Sequence, residues 1–412
     1  IAVEKNNLEM VKILLTHPKI DIDINSTITQ DDLIINKTPL FVAYENENYE
    51  IMKELLSKSS KKVLFSYKSM DDTHKIRTNE FIASVEKENV EMIKFLLKMQ
   101  TIDVNNRKIE EKFDKKNHQL LYRSEKSALS IAVEKENIEI IKLLLKDPNI
   151  DINIKSIEYK DQITVEKTPL YDAVEKENIK IISQLLLMPS IDWKTYSYKS
   201  FNNDTKIESN ELIKAVEKNN FPILYHLLKR QDIDVNFKQI ITEQNKTFEM
   251  SALSIAIENE SIEIIKLLLD NQNIDINLVL TDSCHLIDES KYLKVEKTVL
   301  QSAVIKGNIE IVELILSHQN IDINMNILEY DEFFEYHEYK KANKQKTITK
   351  KIRKIISKQR TALHTAISSK NIDIISILLS QKGIDLDVRD EEGKLPIEYT
   401  QDDMIKKLFC NN

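Results

Sequence analysis

The chain has 412 residues, 31% of them charged, and its 67 acidic against 59 basic side chains leave a net charge of -8. That balance suits a solvated surface and argues against broad nucleic-acid binding. No apolar run approaches the roughly eighteen residues of a membrane span, two cysteines (Cys284 and Cys410) give no disulfide framework, as expected in a reducing compartment, and three glycines spread over 307, 383 and 393 leave no phosphate-cradling loop.

The first predicted element is a partial helical hairpin, Ile1 to Asn25 (copy 1). It opens inside a helix without the turn that should precede it, so sequence upstream is expected, with a signal peptide or a further domain among what it could hold. Full copies 2 to 9 open at Thr38, Asn79, Ser127, Thr168, Asn210, Ser251, Thr298 and Thr361, and a half-copy from Leu395 to Phe409 closes the chain as a polar end cap.

Copy 4, from Ser127 to Asn153, shows the unit most plainly. Ser127 is placed to cap a short helix whose apolar face is Leu129, Ile131, Ala132 and Val133. Asn137 stands where that helix must stop, Asn being tolerant of the left-handed backbone of a C-terminal cap. Ile138, Ile141, Leu144 and Leu145 then recur at helical spacing, Pro148 ends the second helix, and Ile150, Ile152 and Ile154 alternate with polar residues as a short extended segment. Two helices this short have too little core to fold alone, so they must stack on further copies.

Successive copies start 41, 48, 41, 42, 41, 47 and 63 residues apart, and the surplus over a compact hairpin lies in the connectors. The opening turns also cycle through three types: TPL at 38, NEF at 79 and SAL at 127, then TPL at 168, NEL at 210 and SAL at 251. The connector at 66–80 recurs at 197–211, an offset of 131, so a three-copy block is duplicated and the two connectors should share one conformation.

Connectors on a rigid scaffold are where specificity is expected, and here they carry the aromatics. Tyr67, Tyr122, Tyr159, Trp193, Tyr196 and Tyr198 are candidate anchors for a protein partner, against the alternative that each finger packs its rings on the next. The longest connector, a charged insertion at 325–360, splits into an acidic aromatic half containing Phe333, Phe334 and Tyr336 and a basic half containing Lys350, Lys351, Arg353 and Lys354. Ile348, Ile352, Ile355 and Ile356 fall on one helical face there, which predicts a basic amphipathic helix. Such a helix either folds back, its isoleucines on the stack and its lysines against the acidic half, or binds an acidic partner, nucleic acid or an anionic membrane, or serves as a nuclear-import patch; folding back is the favoured reading.

No catalytic constellation is visible. Cys284-His285 lacks a second pair at metal-ligand spacing and an orienting partner, so it reads as a loop pair rather than a zinc site or nucleophile. The acidic residues recur as helix-surface glutamates at the repeat spacing. No metal, cofactor or small-molecule substrate is implied.

The motifs resemble the ankyrin repeat. Thr168-Pro169-Leu170 is similar to that family's opening turn, with Pro at the first helical position, and Ala173 and the leucines at 185–187 fall in register. Thr361, Ala362, Leu363 and His364 resemble its TPLH turn, which implies a structural histidine. Only Gly307 keeps the family's glycine between the helices; Asn6, Glu47, Glu88, Glu136, Glu177, Asn219, Glu260 and Lys370 stand there instead. Each non-glycine residue is expected to cost up to roughly 1 kcal/mol in a left-handed turn.

The resemblance implies a fold that is all-α: one ankyrin-type α-solenoid over 1–412, with extended β-hairpin-like or irregular fingers. It implies a non-catalytic, intracellular, cytoplasmic scaffold that binds a protein partner through its concave helix face and fingers. A structural subunit of a larger assembly, or the targeting region of an enzyme whose catalytic domain lies upstream, are the alternatives.

Overall fold

A computed structural model describes residues 1–30, 32–58, 65, 67–99, 101–285, 291–340, 346–390 and 393–410; at 284–285, 291–293, 328–340 and 346–359 the description is of the backbone alone. Two compact units divide the chain, Ile1–Asn202 and Asn203–Asn412.

Every copy from 2 to 9 is a pair of short helices. In the first unit they are Pro39–Glu45 and Tyr49–Lys58, Glu80–Glu86 and Val90–Leu97, Ala128–Glu134 and Ile138–Leu144, and Pro169–Glu175 and Ile179–Leu185, with Leu8–Leu15 from copy 1. In the second they are Glu211–Glu217 and Phe221–Leu228, Ala252–Glu258 and Ile262–Leu269, Val299–Lys306 and Ile309–Leu316, and Ala362–Ser369 and Ile372–Leu379. The 3-10 turn Pro396–Tyr399 and the helix Asp403–Cys410 follow. Within a unit, first helices stack on first helices and second on second. The seam is apolar: Ala132, Val133, Ile140, Ile141 and Leu144 of copy 4 are each fully buried. Helices of seven to ten residues are marginal in isolation, so this burial between copies supplies most of what holds them.

The eight opening-turn residues singled out by the sequence all cap first helices, each side chain accepting from the backbone N–H three residues on. The eight non-glycine residues between helices all adopt left-handed backbone, with φ between 52° and 57°. Asn137 is not the stop of its first helix. Glu136 takes the left-handed position, and Asn137 caps the second helix by accepting from Ile140 N–H at 3.1 Å.

The strain is offset between copies. The carboxylate of Glu88 accepts from the amide of Asn137, that of Glu136 from Asn178, and that of Glu260 from Asn308, at 2.8 to 2.9 Å. A second ladder runs through five of the asparagines that end Asp-Ile-Asn or Asp-Val-Asn motifs. Asn105, Asn153, Asn236, Asn277 and Asn324 each donate to a backbone carbonyl of the following copy and accept from a backbone N–H two residues beyond it. The segment at 150–154, expected to be extended, is instead a turn, because the Asp151 carboxylate accepts from Asn153 N–H at 2.9 Å and closes an Asx-type ring.

The term all-α describes the stack but not the connectors. Each connector described on both sides is an antiparallel hairpin, and neighbouring hairpins within a unit pair with one another. The first unit's sheet runs in chain order from Ser26–Gln30 to Tyr198–Phe201, the second's from Thr205–Ser209 to Lys346–Arg360. Pairing each finger with the next satisfies backbone groups that a free hairpin edge would leave to water. The basic segment predicted as a helix is the strand Lys346–Arg360, paired with Ile327–Lys340 in a register that sets Glu329 opposite Lys358 and Tyr336 opposite Lys351. Isoleucines four apart satisfy a period of two as well as one of 3.6, and their β-branching favours the strand.

Candidate functional site

The first helices and the bases of the hairpins form the two walls of a groove in the first unit. A recurring ion pair sets the distance between them. In copies 2, 4 and 5 the Glu seven residues after the cap, at the end of the first helix, pairs with the Lys one residue before the cap, at the end of the hairpin. Lys37 meets Glu45 at 2.7 Å, Lys126 meets Glu134 at 2.8 Å, and Lys167 meets Glu175. Copy 3 has Thr78 in place of that Lys, and Lys108 of the next hairpin reaches Glu86 instead, at 2.6 Å. In the second unit, 131 residues on, copy 6 has Ser209 there and Gln239 donates to Glu217 at 2.8 Å. Copy 8 has Ile305 in place of the Glu, and its Lys297 pairs with Asp282 at 2.9 Å.

Two clefts open along this groove and share Lys126 and Glu134. One, of about 310 Å³, lies over Ile131, with Tyr122 and Lys108 on its hairpin side. The other, of about 480 Å³, lies over Asp172, with Glu158, Lys160 and Asp161 on its hairpin side and Lys176 at its rim. Burial works against the Lys126 ammonium, but the Glu134 carboxylate outweighs it and holds the pKa above the ordinary lysine value. Burial pushes the Asp172 carboxyl up, with Lys167 and Lys176 pulling the other way.

A third hollow, of about 930 Å³, lies farther out between hairpins and brings Tyr122 and Tyr159 together. The other candidate anchors are placed differently. Tyr67 stacks on Phe41 with ring centroids 4.8 Å apart, and Tyr198 repeats the arrangement on Tyr171 at 4.7 Å. Tyr196 carries the Lys155 ammonium 3.5 Å from its ring centroid. Trp193, a candidate anchor with packing as the alternative reading, is only 6% exposed, so it packs. The side chains of Phe333, Phe334, Tyr336, Lys350, Lys351, Arg353 and Lys354, and those of Cys284 and His285, lie outside the described residues.

Asp172, Glu158 and the Lys126–Glu134 divider were not singled out by the sequence. The available signal was the comparison of copies at one register: four residues after the cap, copies 2 to 5 carry Val42, Ala83, Ile131 and Asp172. At the far end, His364 is fully buried, and its Nδ1 lies 2.9 Å from the Thr361 hydroxyl. That places it within the cap of its own helix. Among the described residues no three His, Cys, Asp or Glu side chains converge as a metal cluster, and no helix is long and apolar enough to cross a membrane.

A family model described as ankyrin repeats, in three copies, matches residues 81–197 and 212–327, and one described as ankyrin repeat matches 358–391. No curated protein matches the chain. Among solved structures it is similar to the ankyrin repeat domain of Bcl-3, described as a unique member of the IkappaB protein family: 18% identity over 68% of this chain and 97% of that one, with a TM-score of 0.43.

Proposed function

The chain belongs to the ankyrin repeat family, whose repeats are generally protein-protein interaction modules, and on that premise we propose that it is a non-catalytic, intracellular scaffold that holds a protein partner in the groove of its first unit. The observation that carries this reading is the pair of adjoining clefts over Ile131 and Asp172, walled by helices on one side and paired hairpins on the other. Concave surfaces that present several placed polar groups are where ligands bind. Tyr122 and Tyr159 on the hairpin wall are the proposed aromatic anchors, being half-buried bodies beside open space.

Photo-crosslinking tests the location. A crosslinking residue placed at Leu121 or Lys160, on the hairpins, should trap one protein reproducibly, whereas the same residue at Lys142 or Lys180, exposed on second helices, should not. Equal trapping from both faces, or from the second helices alone, contradicts the assignment.

A further inference from the structure

We propose that the end of the first unit beside Leu8–Leu15 and Ser26–Gln30 is a docking surface, and that its occupant is one more helix pair of this chain's own kind, carrying a hairpin and preceding copy 1 in the same polypeptide. The surface shares no lining residue with the groove's clefts, so it is independent of the function proposed for them.

Copy 1 is built as an internal copy. Ile1–Lys5 repeats Ile131–Lys135 without change, and Thr38 stands to Thr168 at the same offset of 130. The backbone repeats too: Lys5 N–H donates to the Ile1 carbonyl and Asn7 N–H to that of Ala2, as Lys135 does to Ile131 and Asn137 to Ala132, at 2.9 to 3.1 Å. The surroundings differ. The third and seventh residues after the second-helix cap are at most 4% exposed in copies 2 to 9, as Ile140 and Leu144 are in copy 4, whereas Met10 and Leu14 are 45% and 44% exposed. Ile20 is 42% exposed against 8% for Ile150. A hollow of about 280 Å³ opens beside Ile1, lined mainly by apolar side chains that include Val3, Val11, Leu14 and Ile24. Two residues before the matching Ile131 stands the buried Leu129, and copies 2, 3 and 5 bury Leu40, Phe81 and Leu170 at that register, so the hollow suits one such side chain.

Exposed apolar surface marks an interaction site, and three sets of polar groups identify what covers this one. The first is the asparagine ladder. The turn that receives it is formed in copy 1, the Asp21 carboxylate accepting from Asp23 N–H at 3.0 Å. Yet the Lys19 carbonyl and Asp21 N–H have no partner among the described residues. Asn105 of copy 3 donates to the matching Asn149 carbonyl at 2.7 Å and accepts from Asp151 N–H at 2.8 Å. The second is Asn7, which accepts from Met10 N–H at 3.0 Å. Its amide reaches nothing among the described residues, whereas those of Asn137 and Asn178 reach the left-handed glutamate of the copy before. The third is the strand Ser26–Gln30, paired on one edge only among the described residues, while the matching Ser156–Lys160 is paired on both. Its sequence, Ser-Thr-Ile-Thr-Gln, carries no charge or proline of the sort that discourages edge pairing.

A second copy of this chain does not fit. Copy 9 has Asp387 where the ladder needs Asn, and a carboxylate cannot donate. The cycle of opening turns fixes the type of occupant: copy 1 precedes a TPL copy, as copy 4 does, so the copy before it is of the copy 3 type.

The test adds residues 79–130 of the chain ahead of Ile1, so that Ser130 joins Ile1 in the register of Ile131. Hydrogen exchange at the Asp21 amide and along Ser26–Gln30 should slow by at least about tenfold relative to the unextended chain. Asn105→Asp in the added copy should restore fast exchange at Asp21. Met10→Glu should leave the thermal midpoint of the unextended chain nearly unchanged and lower that of the extended chain by several degrees. In the protein isolated from its own cells, mass spectrometry of the residues before Ile1 should find Ser, Thr or Asn four positions before it and an apolar residue two before it. A natural protein without them, unchanged Asp21 exchange in the extended chain, or unextended chains that protect Asp21 by dimerising would each overturn the inference.

Discussion

Asn137 caps the second helix of copy 4 and at the same time donates its side-chain amide to Glu88, in the left-handed turn of copy 3, at 2.8 Å. The interhelical glutamate, which reads as a pure backbone cost when a copy is considered alone, is therefore a contact between copies.

This makes the sign of a substitution depend on which residue replaces it. Glu136, which accepts from Asn178 at 2.9 Å, has φ 55°. Glu136→Ala keeps the strain and removes the bond, so it should cost about 1 kcal/mol of unfolding free energy. Glu136→Gly removes both, and should fall within about 0.5 kcal/mol of the native chain. The reciprocal change is Gly307→Glu, whose added Cβ would lie 3.7 Å from Asn371 Nδ2. It should be near neutral for the same reason. Urea denaturation of the three variants decides this; equal losses for Ala and Gly at position 136 would show that the bond contributes nothing.

The asparagine ladder predicts larger effects. Asn277 donates to the Asn320 carbonyl at 2.8 Å and accepts from Asp322 N–H at 2.9 Å. Asn277→Ala should cost about 2 kcal/mol, two bonds at about 1 kcal/mol each. Because solenoid stability is a sum of neighbour terms, exchange of the Asp322 amide should accelerate more than that of amides in copy 6. Uniform acceleration throughout the second unit would contradict the ladder as a local tie.

Stability should fall on mild acidification, through His364. Burial holds its imidazole below the ordinary histidine pKa, against the opposing influence of the Lys394 backbone and Asp390. The unfolded chain therefore binds the proton first. Its contribution is fully present above the unfolded pKa of about 6.5 and is lost progressively as pH falls below it, until the lowered folded pKa is passed. Gln301 makes the equivalent cap contact in copy 8, so His364→Gln should fold and lose that part of the pH dependence. A variant with the native pH profile between about 6.5 and 5 would assign the effect to other groups.

The stacked rings offer a fourth check. Tyr198 on Tyr171 and Tyr67 on Phe41 are duplicates of one contact between hairpin and first helix. Tyr198→Ala and Tyr67→Ala should destabilise by similar amounts, about 1 kcal/mol beyond the lost area. Thermal denaturation giving clearly unequal losses would mean that the duplicated connectors do not share one packing.

Much of this was legible in the sequence, and for a physical reason. Caps, left-handed turns and apolar spacing are local, so Thr168, Glu136 and Ile141 announce their roles within a few residues of themselves. What the sequence hid is non-local. Nothing near Glu88 identifies Asn137 as its partner 49 residues on, and nothing within one hairpin says that it will pair with the next, as Glu125 does with Ile157. Residues 346–360 misled because their isoleucine spacing fits both periods, and only the partner strand decides between them. Within the groove, Tyr122 and Tyr159 were visible as connector aromatics, whereas Asp172 looked like any helix-surface acid until the hairpin wall above it was in place.

The most direct measurement of the central claim is hydrogen-deuterium exchange of the chain with and without the protein trapped at Leu121 or Lys160. The account predicts added protection in the hairpin strands Leu120–Ser127, Ser156–Lys160 and Ile163–Lys167, with none in the second helices Ile138–Leu144 and Ile179–Leu185. Protection confined to those second helices would contradict it.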